Sequence, residues 1–258
     1  MDSNVELERS EVAFGDGPDA GGGVLVAARG WQAGRPRPAI VLCPGRTGDL
    51  RGLEWLQAPL VAAGFVCLAL RYRGSDAQYH LQDVADISAA VDYLQHLELV
   101  DPQRIAASGH SRGGLAVLNA SFREKRLEAV AALSPPTDSI SLVLGLKAYA
   151  PERYRLMMEA RGGDPWDEPA FYHAISPLYH AAEIRIPVLL VHGTLDLVIP
   201  HDHSLWMHKE LQRYGNDASR LELIDSAGHF FEQTSYGYKT DEVAAKVVAW
   251  FVEWLKPE

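Results

Sequence analysis

The sequence predicts an α/β protein in which a mostly parallel sheet is covered by helices on both faces. Three observations carry this. From Pro38 onward, short apolar runs alternate with stretches of helical periodicity, the order that parallel strands and their crossover helices require. The runs are continuously apolar, as strands buried on both faces are. The segment before them instead alternates apolar and polar residues around a glycine-rich stretch, which reads as an antiparallel hairpin at one sheet edge.

Taken in order, "VELERSEVAF" (5–14) and "GVLVAARG" (23–30) are the hairpin strands, joined by a turn over Gly15–Gly23. Six further strands follow: "AIVLC" (39–43), "FVCLAL" (65–70), "RIAAS" (104–108), "EAVAAL" (128–133), "PVLLVHG" (187–193) and "RLELID" (220–225). Between them, "VADISAAVDYLQHL" sets Val84, Ile87, Val91 and Leu94 on one helical face. "DEVAAKVVAWFVEWL" does the same with Val243, Val247, Trp250 and Trp254. Residues 136–185 or so break the rhythm. They contain no strand pattern and are long for a simple connection, and they concentrate Tyr149, Tyr154, Met157, Met158, Trp166, Phe171 and Tyr172. Because they follow the sixth strand, they are expected to cover the C-terminal edge of the sheet as a small helical cap. The whole chain, 1–258, then reads as a single domain with that insertion.

Composition bounds the function without naming it. An apolar fraction of 47% and a charged fraction of 22% are ordinary for a soluble protein with a sizeable core. The formal charge of −10 argues against a nucleic-acid partner. No apolar run approaches the roughly 20 residues of a membrane span. The opening "MDSNVELERSEV" carries early acids and lacks the apolar core of a secretion signal. The expectation is a cytoplasmic protein that engages neither nucleic acid nor membrane. Cys43 and Cys67 fall inside strand runs and read as buried thiols rather than a disulfide or a metal site.

The chemistry concentrates in "SGHSRGGLA", Ser108 to Ala116. Here Ser111 stands between Gly109 and Gly113, after a strand and before a helix. G-x-S-x-G in that context is the nucleophile elbow, a sharp turn that holds the hydroxyl clear of the sheet. Side chains at either glycine would collide with the neighbouring strand and helix. A serine hydroxyl needs a base to take its proton, and the base needs a carboxylate to orient it. Asp196 in "VLLVHGTLDLVIP" and His229 in "DSAGHFFE" follow the last two strands. They supply both groups in the order Ser, Asp, His and at the same sheet edge. Asp138 and Asp202 are the rival acids. His110, beside the nucleophile, is expected to pack, and His201, Asp202 and His203 to flank the helix after Pro200 rather than bind a metal. The backbone N–H groups of Arg112 and Arg46 are the expected oxyanion donors, with Gly45 letting the chain turn and Thr47 the alternative to Arg46.

With these residues in view, the chain resembles the α/β-hydrolases, and within them the dienelactone-hydrolase and prolyl-oligopeptidase-like branch. The likeness runs through "LRYRGSD" (70–76), "DVADISAAVDYL" (83–94), "VDPQRIAASGHSRGG" (100–114), "IPVLLVHGTLDLVIP" (186–200) and "AGHFF" (227–231). It implies an eight-stranded, mostly parallel sheet, a Ser-Asp-His triad, no cofactor, and hydrolysis of esters or peptides. Two departures bear on substrate. Peptidases of the branch usually carry a propeller domain, for which this chain has no room, and their oxyanion loop usually reads His-Gly-Gly or Tyr-Gly-Gly where this chain has "CPGR". Dienelactone hydrolases use a cysteine where Ser111 stands. A small carboxylesterase acting on a small-molecule ester is therefore the favoured reading, ahead of a short-peptide peptidase, an acyltransferase or a non-catalytic ligand-binding relative; a homo-oligomer stays open. Arg46, Arg51, Arg73 and Arg112 fall in loops at the active edge. They either bind a substrate carboxylate or pair with Asp49, Asp76 and Asp83. Arg46, Tyr149 and Trp166 are the candidate substrate contacts, the aromatics either lining a pocket or packing the insertion onto the sheet.

Overall fold

The computed structural model describes residues 5–14, 21–73, 81–233 and 237–257. Eight strands form one sheet: β1 (Leu7–Phe14), β2 (Gly21–Ala28), β3 (Arg37–Cys43), β4 (Val66–Arg71), β5 (Val100–His110), β6 (Leu127–Leu133), β7 (Val188–Gly193) and β8 (Arg220–Ile224). Their spatial order is β1-β2-β4-β3-β5-β6-β7-β8. β2 runs antiparallel to both β1 and β4, and every other pairing is parallel. The edge hairpin is where the alternating pattern put it. Gly21–Gly23, read from sequence as part of the turn, lie within β2 opposite Phe14, Ala13 and Val12. A side chain would not fit there: a Cβ at Gly23 would stand 2.2 Å from the Ala69 carbonyl oxygen of β4.

The period of two divides each central strand between two cores. On one face, Ala39, Val41, Val66, Leu68, Val130, Ala132, Val188 and Leu190 pack beneath α2 (Leu81–Gln95), α3 (Arg112–Arg123) and α7 (Asp202–Arg213). On the other, Ile40, Leu42, Cys67, Ala131, Leu133, Leu189 and Val191 meet α1 (Glu54–Ala62) and α8 (Thr240–Leu255). All four predicted residues of α2 are buried. In α8 the buried stripe runs through Val243, Val247, Trp250, Phe251 and Leu255, and it leaves Trp254 at its rim. Both cysteines are fully buried, and that burial pushes their thiols far above the ordinary range, so neither is a nucleophile at neutral pH.

Register sets the functional edge. Cys43 pairs with Gly109, His110 with Leu133, Leu133 with Val191, and Gly193 with Ile224. The parallel strands therefore end level, and the loops after β3, β5, β6, β7 and β8 open side by side, where ligands bind in open α/β sheets. Between β6 and β7 lie α4 (Ser139–Tyr149), α5 (Pro151–Arg161), α6 (Pro169–Ala174) and a 3-10 turn, Pro177–Glu183. They have a small core of their own, Val143, Tyr172 and Ile175 with Tyr154, Met157, Met158 and Phe171 packed against it. Most of the aromatic and methionine-rich stripe is thus packing. No helix among the described residues is long and apolar enough to cross a membrane.

Candidate active site

Ser111 occupies the single-residue elbow between β5 and α3. Its N–H donates to Leu133 O at 2.8 Å, and its carbonyl accepts from Leu115 N at 3.0 Å, opening α3. Holding both ends forces φ to 57° and ψ to −112°, a conformation that costs an ordinary residue on the order of 1–3 kcal/mol. The two glycines of the motif allow the turn by contact, not by dihedral. A Cβ at Gly109 would lie 2.3 Å from the backbone of Gly113, and one at Gly113 would lie 2.0 Å from Cys43 O. Neither obstacle is a movable side chain. Gly113→Ala is expected to destabilise the fold by about 3 kcal/mol, measurable as a lowered urea midpoint at unchanged m-value.

Asp196 and His229 come from the loops after β7 and β8, and those loops are bound to each other. Leu195 N donates to Ala227 O at 2.9 Å, and Ser226 N to Thr194 Oγ1 at 2.8 Å. A Cβ at Gly193 would lie 2.2 Å from Ala227 O, so only glycine lets the loops approach this closely. The imidazole of His229 donates Nδ1–H to Asp196 Oδ2 at 2.7 Å. This leaves Nε2 as the lone-pair nitrogen, and His229 and Ser111 line one cleft of about 370 Å³. Ser111 Oγ and the imidazole are not hydrogen-bonded here; such contacts are often loose until substrate is bound.

The carboxylate of Asp196 is saturated. Oδ1 accepts from Val198 N and Ile199 N, each at 2.8 Å. Oδ2 accepts from His229 and, at 3.2 Å, from His192 Nε2. Burial alone would raise this carboxyl. The hydrogen bonds from His192, His229 and the Ile199 backbone outweigh it and hold Asp196 well below the usual carboxylate range. The rival Asp138 does different work: it caps α4 by accepting from Ile140 N at 2.9 Å and takes the Tyr179 hydroxyl at 3.2 Å.

Two histidines that sequence reasoning passed over or set aside as packing support this arrangement. His192, fully buried at the end of β7, donates Nε2–H toward Asp196 and Ile199 O, while its Nδ1 takes the Ser204 hydroxyl at 2.7 Å. Its signal was a polar residue inside an apolar strand run, since buried polar groups are hydrogen-bonded. His110 does more than pack. Its Nε2 donates to His229 O at 2.7 Å, and its ring lies 4.8 Å from that of His229. Burial, with the neighbouring His229, pushes His110 down to about 3, so it stays neutral. His203 is also buried rather than flanking its helix, its Nδ1 accepting from Thr137 N at 3.2 Å. Burial pushes it down to about 4.

The expected oxyanion groups adjoin the serine. Arg112 N–H belongs to the first residue of α3, and Arg46 lines the cleft. The residue in the left-handed region is Gly48, at φ +67°, whose N–H closes the turn on Gly45 O at 3.0 Å; Gly45 itself needs no such freedom. Gly45 instead backs onto the nucleophile, a Cβ there falling 3.9 Å from Ser111 Cβ. The arginines sort themselves. Arg112 forms a buried bidentate pair with Asp83 at 2.8 and 2.9 Å and stacks over Tyr72. Arg51 is chelated to Asp49, and Arg73 pairs with Asp86; Asp76 lies outside the described residues. Arg46 lines the cleft, as does Arg153 of α5. Of the other two candidate contacts, Tyr149 is 58% and Trp166 68% exposed, and neither lines the cleft that holds Ser111 and His229. Composition marked the insertion as aromatic but not which helix face turns to the cleft.

Residues 51–258 match the model of the prolyl oligopeptidase family. The chain is 25% identical over 207 residues to acylamino-acid-releasing enzyme 1 of Oryza sativa subsp. japonica, covering 72% of this chain and 26% of that enzyme. It thus spans about a quarter of that relative's length. Among solved structures it matches a Mycobacterium tuberculosis puromycin-hydrolyzing peptidase with a TM-score of 0.80 at 22% identity, covering 97% of this chain and 40% of that one. A truncated carbohydrate esterase from gut microbiota matches with a TM-score of 0.77 at 17% identity, covering 99% of both chains.

Proposed function

Because the chain belongs to the prolyl oligopeptidase family and has the α/β-hydrolase fold, we propose that it is a serine hydrolase that cleaves small-molecule carboxylic esters through an acyl-enzyme. The observation that carries this is the saturated Asp196 gripping His229 in the cleft that holds the strained Ser111. Ser111 Oγ attacks the ester carbonyl as His229 Nε2 takes its proton. The oxyanion forms against the N–H groups of Arg112 and Arg46, where each such donor is worth on the order of a hundred- to a thousandfold in rate. His229 then protonates the departing alcohol, and water, activated by the same nitrogen, releases the acid. Asp196 holds the Nδ1–H tautomer and stabilises the transient imidazolium. No step calls for a metal or cofactor.

The ester is favoured over the peptide by the charge of the cleft. Its lining carries Arg46 and Arg153 and one acid, Asp49, which Arg51 already engages. A peptide's free ammonium finds no unengaged carboxylate among these residues and meets the Arg153 guanidinium instead. Beside the cleft, Trp55, Phe230 and Phe231 wall an apolar cavity suited to an alkyl or aryl alcohol. The expected result is turnover of 4-nitrophenyl butyrate with no release of 4-nitroaniline from alanyl-alanine 4-nitroanilide. Faster cleavage of the anilide than of the ester would replace this reading with a peptidase.

A further inference from the structure

The cavity beneath α4 and α5 points to the substrate's acid half. It shares Arg46, Ser111 and Arg153 with the main cleft, but His229 does not border it. His229 must reach the leaving alcohol to protonate it, so the alcohol lies in the main cleft on the side of His229 and Phe230. The cavity that meets Ser111 away from His229 is then the acyl side.

Its chemistry is asymmetric. Leu115, Leu142, Met157 and Ile199 give it apolar walls, and no acidic residue lines it. Arg153 enters it from α5, and the two acids nearest along that helix, Glu152 and Glu159, are both engaged by Arg155 at 2.8 and 3.1 Å. Ser139, at the start of α4, is fully buried with its Oγ on no partner, while its backbone N–H is already held by Ser176 Oγ at 2.9 Å. An orphaned buried hydroxyl is costly. An anion accepting from both the hydroxyl and the guanidinium would satisfy the pair at once. We propose that the acyl pocket takes a short chain ending in a carboxylate, held by Arg153 and Ser139, so that the preferred substrates are monoesters of small dicarboxylic acids. This rests on the esterase reading above.

The test compares mono-4-nitrophenyl glutarate with 4-nitrophenyl valerate, which match in chain length and leaving group and differ in the terminal charge. Wild-type kcat/KM should favour the glutarate. Arg153→Met should lower the glutarate-to-valerate ratio by about 10- to 100-fold, the range for a hydrogen bond to a charged group, and an unchanged urea m-value certifies the fold. Arg153→Lys should fall between, because a lysine keeps the charge without the forked geometry. Ser139→Ala should lower the glutarate value by a few fold. Raised salt should narrow the wild-type preference. An unchanged glutarate-to-valerate ratio in Arg153→Met, with both esters still hydrolysed, would overturn this inference alone. Hydrolysis of neither ester by the wild type would remove the esterase reading and this inference with it.

Discussion

Ser111→Ala is expected to lower kcat by about 10⁶-fold on any ester the wild type hydrolyses, the loss that removal of an activated serine brings when the oxyanion donors remain. The residual rate should not respond to further replacement of His229, because residues that act as one unit lose their effect together. The backbone makes a companion demand. At φ 57° and ψ −112°, serine and alanine carry the same steric penalty and glycine does not. Ser111→Gly should therefore be as inactive as Ser111→Ala yet more stable by about 1 kcal/mol, read from urea unfolding. Equal stability of the two variants would mean that the elbow stores no strain.

Asp196→Asn is expected to lower kcat by about 10⁴-fold with little change in KM. Asparagine can present its amide –NH2 to His229 Nδ1, which favours the tautomer with the proton on Nε2 and leaves no base facing Ser111. The same change breaks the acceptor relation with His192, whose Nε2 is 3.2 Å from Asp196 Oδ2. Asp138→Asn, in contrast, loses only part of a helix cap and should leave kcat within a few fold. The pair decides between the two acids, because both follow parallel strands at the same edge and only one touches the imidazole. A large loss at Asp138 with a small one at Asp196 would reverse the assignment.

The order of elements was legible because the five central strands, β3 to β7, hold residues buried on both faces, and that burial writes itself as apolar runs. Strand ends were less legible. β5 extends to Val100 and His110, beyond "RIAAS", because these two ends pair with Arg37 and Leu133, which composition does not register. Gly21–Gly23 looked like turn because glycine usually signals one; here the close approach of Val12 O and Ala69 O requires it within a strand. Chain order and strand placement singled out Asp196 and His229, since a fold that ends its parallel strands level brings those loops together. What no pattern revealed was Arg153, one of 24 basic residues, whose place in the cleft depends on which way α5 turns. The same blindness to helix orientation left Tyr149 and Trp166, both exposed, as candidates on composition alone.

Every step of the proposed reaction depends on Ser111 giving its proton to His229. Intact-mass spectrometry after incubation with an alkyl fluorophosphonate tests that without knowledge of the substrate. A single adduct is expected on the wild type, none on Ser111→Ala, and strongly slowed labelling of His229→Ala. An unlabelled wild type, or an adduct that persists in Ser111→Ala, would contradict it.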